Sequence, residues 1–267
     1  MAEASQSAFA DPDRHASISG IIRRHSTNAR DVREAVLEGL DLSLARRVLD
    51  LGCGFGFMTE VLARRVADDA LIVGVDACAA NERPYLQRLA ATARSARFVR
   101  HRLEDRLDWP SHTFDLVVAS YSLYFFPRVL PEAARVLHPE GLFLATTHTE
   151  SSYRALLRAA GLEEAGTGLL RLIDAFSAET GPEQLSRWFE RVERVDYRNS
   201  LVFERQQFDE FLSYLGFQLS LIEEPCGDRR GAVEPLADTI RAALSDRPRV
   251  VVEKDDAAFR CWGPRCG

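Results

Sequence analysis

Lysine is almost absent from this chain: Lys254 is the single one, so 33 of the 34 basic residues are arginine. Arginine stays charged and presents a planar fork of donors, whereas a lysine can lose its proton when buried, so amine chemistry is confined to one position. The surplus of arginine reads as a codon-usage bias. The chain also lacks a basic balance, because 40 acidic side chains leave a formal charge of −6. That argues against a protein that coats nucleic acid and favours small or apolar ligands. No apolar run approaches the ~18 to 20 residues that span a bilayer, and the opening MAEASQSAFADPDRHAS is polar with no apolar signal region. A soluble cytoplasmic protein with no membrane partner is expected. Cysteines are few and scattered, at Cys53, Cys78, Cys226, Cys261 and Cys266, which suits free thiols better than a disulfide framework. Cys261 and Cys266 have no histidine near them, and His15, His25, His101, His112 and His138 show no metal-ligand spacing, so no metal is expected.

What is present is alternation. The 267 residues suit one enlarged α/β domain. Ile18, Ile21 and Ile22 have the spacing of one amphipathic turn or short helix, and a second helix follows with Ser26 or Asn28 as its cap and Val32, Val36, Leu37 and Leu40 on one face. Apolar strands then read at 47–51, 71–76, 96–103, 114–122 and 141–148, separated by helical stretches, one of which Pro84 interrupts early. Near-continuous apolar strands with helices between them indicate a doubly wound, mostly parallel sheet covered on both faces. Residues 151–188 are helical by pattern, a strand-like stretch covers 189–204, helices follow at FDEFLSYL and VEPLADTIRAAL, and PRVVVEKDDAAFRCW closes as a strand. The expected division is a helical cap at 1–45, a cofactor-binding core at 46–150, helical substrate-cap inserts with an added strand at 151–247, and a closing strand and tail at 248–267. Lys254 falls on that last strand, outside the chemistry unless the strand turns into the cleft.

The strongest signal is Val48-Leu49-Asp50-Leu51-Gly52-Cys53-Gly54-Phe55-Gly56-Phe57. Glycines directly after a strand let the chain turn sharply and bring backbone N–H groups close to a ligand. A dinucleotide fingerprint would need glycine at position 57, where Phe57 stands. With Asp50 two residues before Gly52-x-Gly54-x-Gly56, the motif resembles that of the class I S-adenosylmethionine-dependent methyltransferases, whose fold is a seven-stranded Rossmann-like sheet. Asp76 at the end of the second strand, RLEDRLDWP, FDLVVAS and EAARVLHPEGLFLATTH match further segments of that family in order, so the resemblance covers about residues 30–150. It implies S-adenosyl-L-methionine as cofactor, with the Gly52 to Gly54 backbone against its methionine part and Asp76 on its ribose hydroxyls. Cys53, Gly56, Ala77, Leu103, Glu104 and Ser120 complete the implied cofactor set. Arg102 stands where many relatives have an acid.

The reaction implied is in-line methyl transfer to an oxygen, nitrogen, carbon or sulfur atom of a small molecule. Positioning supplies much of such a rate, and a base is needed only when the acceptor carries a proton. Tyr121, at the end of the fourth strand beside Tyr124, Phe125 and Phe126, and His148, at the end of the fifth, are the candidate catalytic residues, since ligands of open α/β sheets bind beyond the strands' carboxyl ends. Arg30 and Arg33 reach the cleft only if their helix folds over it. No Asn/Asp-Pro-Pro-aromatic segment for a flipped base is present, so no nucleic-acid partner is expected, while homodimerisation stays open. The alternatives are an NAD(P)-dependent oxidoreductase, against which Phe57 and Asp50 speak, and a non-catalytic S-adenosylmethionine-binding protein.

Overall fold

The computed structural model describes residues 11–92, 94–104, 106–163, 167–221, 240, 241, 244 and 246–265. Two helices lead. The carboxylate of Asp11 accepts hydrogen bonds from the backbone of Asp13 (3.1 Å) and Arg14 (3.0 Å), Pro12 fills the first turn, and α1 runs Pro12–His25. The isoleucine spacing therefore marks one face of a 14-residue helix, and Asp11-Pro12 is the start signal that spacing alone does not convey. Neither Ser26 nor Asn28 caps the second helix. Asp31 does, accepting from the Arg33 N–H, and α2 is short, Val32–Val36.

The sheet begins with β1 (Arg47–Leu51), followed by α3 (Thr59–Ala63), β2 (Leu71–Asp76), α4 (Glu82–Ala90), β3 (Ser95–Arg100), β4 (Phe114–Ser120), α5 (Leu130–Val136) and β5 (Leu137–His148). Pro84 does not interrupt α4, because it lies in the first turn, where a helix has no backbone N–H to lose. After β5 come α6 (Glu150–Ala160), α7 (Thr167–Asp174), α8 (Gly181–Ser186), β6 (Phe189–Tyr197), β7 (Ser200–Glu204), α9 (Phe208–Ser220), β8 (Arg249–Glu253) and β9 (Asp256–Pro264). Seven strands form one sheet in the order β3-β2-β1-β4-β5-β9-β6; the first five are parallel, and β9 is antiparallel to both of its neighbours. Burial on both faces explains the unbroken apolar runs. Leu49, Val73, Val117 and Phe143 pack with the helices that follow β4, whereas Val48, Ile72, Leu116 and Leu142 pack with α2, α3 and α4. The expected helix at VEPLADTIRAAL lies largely outside the described residues, as do Cys226 and Cys266.

The two long C-terminal strands of the sequence reading are each broken. Residues 189–204 divide into β6 and β7, and the closing strand divides into β8 and β9, with β7 and β8 forming a separate two-stranded sheet. The register does not change across the break. Tyr197 faces Asp256 on one side and Ser200 faces Glu253 on the other, so Arg198-Asn199 lie opposite Lys254-Asp255 in one antiparallel ribbon bent at that level. The buried Asp255 holds the bend, accepting from the Asn199 N–H (2.8 Å) and from the Arg198 guanidinium (2.5 Å). Ribbon and leader are tied at the same place: the Asn199 side chain accepts from the Asn28 N–H (3.1 Å) and donates to the Ser26 hydroxyl (3.0 Å), and the Thr27 N–H donates to the Ser200 carbonyl (2.9 Å). Because Asn199 is buried (6% exposed), Asn199→Ala strands its partners on the leader, the Asn28 N–H and the Ser26 hydroxyl. It should lower the unfolding free energy by about 1 to 3 kcal/mol and hasten proteolysis within the leader, as read by urea denaturation and limited digestion.

Candidate active site

Beyond the carboxyl ends of β1, β2, β4 and β5, under α1 and the ribbon bend, lies a cavity of about 730 Å³. One side is the glycine loop. Gly52 takes φ 71° and donates its N–H to the Val75 carbonyl (2.8 Å); a Cβ there would stand 2.6 Å from the Cβ of Ser122. Gly54, at φ 52°, has nothing within 4 Å of the place of a Cβ and donates its N–H to Asp76 Oδ2 (2.9 Å). Its backbone thus lies bare along the cavity wall, a cradle that a side chain would fill. Asp76 accepts through Oδ1 from the Cys78 N–H (2.8 Å) and the Asn81 amide (3.3 Å), and burial raises its pKa despite these bonds. Asp50 is buried in β1 and accepts from the Thr59 hydroxyl. Burial pushes its carboxyl up to about 7, the Thr59 bond opposing and the charge of Asp76 adding to the rise.

On the other side stands a cluster built by strand register. His148 ends β5 directly opposite Asp256, the first residue of β9, and Tyr197 faces the same Asp256 from β6. Side chains opposed across antiparallel strands stand within contact distance, and His148 Nδ1 lies 2.7 Å from Asp256 Oδ1. Lys254, two residues before Asp256 on the bent ribbon, turns into the cleft after all. Its Nζ is 2.7 Å from both Asp256 oxygens, 3.3 Å from His148 Nδ1 and 5.5 Å from the centre of the Tyr121 ring. The Tyr121 hydroxyl donates to Asp256 Oδ2 at 3.1 Å. Its backbone is held at φ 53°, a conformation costly for a bulky side chain, by donation of its N–H to the Thr146 carbonyl (2.9 Å). Its ring stacks on His148 with centroids 4.7 Å apart. Burial raises the Tyr121 phenol well above its ordinary range, and the Asp256 carboxylate adds to the rise. Burial and the Lys254 charge hold His148 below the usual histidine value, while Asp256 pulls the other way. Asp256 stays below the usual carboxylate range in spite of complete burial, because the Lys254 charge and the His148 bond outweigh desolvation.

The cavity brings together Asp50, Gly52, Cys53, Gly54, Asp76, Ala77, Leu103, Ser120, Tyr121 and His148. Two members of the expected set stand apart. Gly56 is off the wall, packed against Tyr85 and Arg88, and Glu104 is exposed beside Arg102 (3.3 Å), leaving Arg102 and Leu103 on the wall. Glu104 thus points away from the cavity, because the chain leaving β3 turns Leu103 inward and Glu104 out. Arg33 reaches the cavity, yet its fork is taken by Asp31 and the Phe57 carbonyl (3.0 Å), and Arg30 pairs with Glu38. Sequence reasoning missed Lys254, Asp256, His15 and Tyr197. His15 comes from α1 and packs its ring between Phe55 and Phe217, where burial lowers its pKa to about 4. Lys254 and Asp256 stand two residues apart, but the bend that aims both into the cavity is set by contacts between distant segments, and nothing in the sequence marks His15.

The methyltransferase domain family matches residues 48–141. The chain is 34% identical over 119 residues to nocamycin O-methyltransferase of Saccharothrix syringae, a stretch that makes up 42% of this chain and 41% of that protein. It is 30% identical over 123 residues to a ubiquinone biosynthesis O-methyltransferase of Neisseria meningitidis, 43% of this chain and 50% of that protein. The chain thus spans about half the length, or less, of these relatives. The [4+2]-cyclase SpnF shares the fold, with a TM-score of 0.56 at 19% identity over 97% of this chain and 94% of that one.

Asp50 makes the stability of the unliganded protein depend on pH. Its folded pKa lies above the ordinary 3.8, so its contribution is full when both states are protonated and is lost as pH rises from about 4 to about 7. Relative to wild type, Asp50→Asn should gain stability across that interval, on the order of 4 kcal/mol in all, with a level difference above it. Denaturation midpoints at pH 4, 5.5, 7 and 8.5 check this.

Proposed function

We propose, from the match of residues 48–141 to the methyltransferase domain family, that the chain is an S-adenosylmethionine-dependent methyltransferase acting on a small organic molecule. The observation that carries this reading is one cavity holding both a bare glycine cradle with Asp76 and the His148–Asp256 pair. The names of the two relatives, both O-methyltransferases, support an oxygen acceptor.

The Gly52 and Gly54 backbone and the Leu103 segment would hold the cofactor. The Asp76 carboxylate, which already accepts three donors, keeps about one of its roughly four lone-pair positions for a ribose hydroxyl. When bound, S-adenosylmethionine supplies a methyl group on a cationic sulfur, the electrophile of the reaction. The protein's part is to place an acceptor in line with it, exclude water and remove a proton. Tyr121, Tyr124, Phe125 and Phe126 give that place apolar walls. His148 donates from Nδ1 to Asp256, and Nε2 makes no hydrogen bond among the described residues, so Nε2 is the atom that takes the acceptor's proton. In this reading residues 1–45 and 151–247 form the cover, 46–150 the cofactor core and 248–267 the closing strand. It includes a cytoplasmic setting, no nucleic-acid partner, and a homodimer as one oligomeric option. The mild negative charge supports the second of these. An oxidoreductase reading is disfavoured by Phe57 in the glycine loop.

Calorimetry should show binding of S-adenosylmethionine and of its demethylated product but not of NADH; tight NADH binding alone would overturn the assignment. Asp76→Ala should weaken the cofactor at least ~10-fold through loss of charge-assisted bonds. His148→Gln should cut turnover by ~10²- to 10⁴-fold, the usual worth of a general base, with cofactor affinity kept. A panel of candidate acceptors, scored for methylated product, separates an enzyme from a non-catalytic binder.

A further inference from the structure

Resting on the methyltransferase reading, we propose that Lys254 is a positioning residue which, through Asp256, keeps His148 a neutral base with its proton on Nδ1, and that the site therefore takes the acidic hydroxyl of a planar phenol or enol. The chain's single lysine could have stood anywhere on the surface. It stands buried (6% exposed) where the ribbon bends into the cavity, with Nζ 2.7 Å from each oxygen of Asp256. A histidine paired with a lone buried carboxylate has a strong reason to stay protonated, because the negative charge has no other compensation. Here the compensation is already present. Lys254 neutralises Asp256, and its ammonium lies 3.3 Å from His148 Nδ1, so a positive charge on the ring would meet a like charge. Asp256 still accepts the Nδ1 proton, which leaves the Nε2 lone pair unprotonated.

The other titratable groups around the pair do not change this balance. Tyr121, Tyr124 and Tyr153 surround the ring, and Tyr197 and Tyr214 stand near Asp256. Burial raises the pKa of all five phenols, so each stays neutral while histidine titrates. Consistently, His148 lies below the ordinary histidine range.

A base so weakened selects its acid. Against a phenol-like hydroxyl of pKa ~10 the proton transfer is unfavourable by ~10⁴, whereas against a hydroxyl as weakly acidic as water, ~16, the factor is ~10⁹ to 10¹⁰. A neutral amine can attack without prior loss of a proton, and so makes no use of such a dyad. Shape agrees with chemistry, because Tyr121 stacks on His148 within 26° of parallel and Phe125 and Phe126 line the same cavity, so a flat acceptor finds flat walls. In the step, the hydroxyl proton passes to Nε2 as the oxygen gains the methyl group and the carbon–sulfur bond breaks. S-adenosylhomocysteine leaves as a neutral thioether, and the imidazolium returns its proton to solvent.

The test reads the histidine itself. In protein labelled with 15N-histidine, with His148 assigned by its loss in His148→Gln, the ring should be neutral at pH 7 with the proton on Nδ1. Lys254→Met should raise its proton affinity at least ~10-fold, one pH unit in the titration midpoint, and Lys254→Arg should restore most of the difference. Lys254→Gln takes the place of Lys254→Met if the latter does not fold. An Nε2–H tautomer, or a midpoint moved by less than twofold in affinity in the charge-removing variant, overturns the proposal. In the second arm, wild type with S-adenosylmethionine is offered catechol, a cyclic 1,3-diketone, cyclohexanol and benzylamine. Product from the first two is expected; product from the others in preference, or from none, removes the acceptor assignment. Failure to bind S-adenosylmethionine in calorimetry would instead sink the methyltransferase reading, and the titration would stand apart from it.

Discussion

A carboxylate cut off from water must find its compensation in the protein, and Asp256 collects it from three directions. Lys254 supplies charge, His148 a ring N–H and Tyr121 a hydroxyl. Each donor arrives by a different constraint: His148 by register across β5 and β9, Lys254 by the bend of the ribbon, and Tyr121 by a left-handed backbone turn at the end of β4. Loss of the carboxylate would leave a buried ammonium unpaired, a change that typically costs several kcal/mol. The core around the closing strands therefore depends on the same group that orients the His148 ring.

The two sides of the cavity solve the burial problem differently. Asp256 is paired with a cation and its charge is secured. Asp50 and Asp76 have only hydroxyl, amide and backbone donors, and both are pushed upward by burial. On the glycine side no paired cation secures the charge of these carboxyls, and burial favours their neutral form, whereas on the opposite side the charge is already balanced.

Much of the architecture was legible because its cause is local. Strands buried on both faces must be apolar throughout, so β1, β2, β4 and β5 stand out in the sequence, and the glycines after β1 follow from backbone approach. Asp50, Asp76, Tyr121 and His148 were readable as residues at the carboxyl ends of strands. The remainder depended on contacts between distant segments. No local rule places a bend at Arg198-Asn199 and Lys254-Asp255, because it is set by Asp255 bonding across the ribbon and by a leader some 170 residues away in sequence, as the separation of Asn28 and Asn199 (171) shows. Hence Lys254, assigned by sequence to a remote strand, sits beside His148. Glu104 erred in the opposite sense, since a motif position does not determine which way a side chain points after a strand has ended.

The unbroken register of the ribbon has a consequence for how this protein can vary. In an extended chain successive side chains alternate faces, so the addition or loss of one residue inverts everything beyond it. One residue inserted between Lys254 and Asp256 would turn Lys254 away from the carboxylate it neutralises while leaving every strand of the large sheet intact. Residues added in pairs beyond the bend, in β7 and β8, would lengthen the two-stranded sheet without displacing Lys254, Asp256 or His148. The ribbon thus separates a segment that is free to diversify from one whose length is locked.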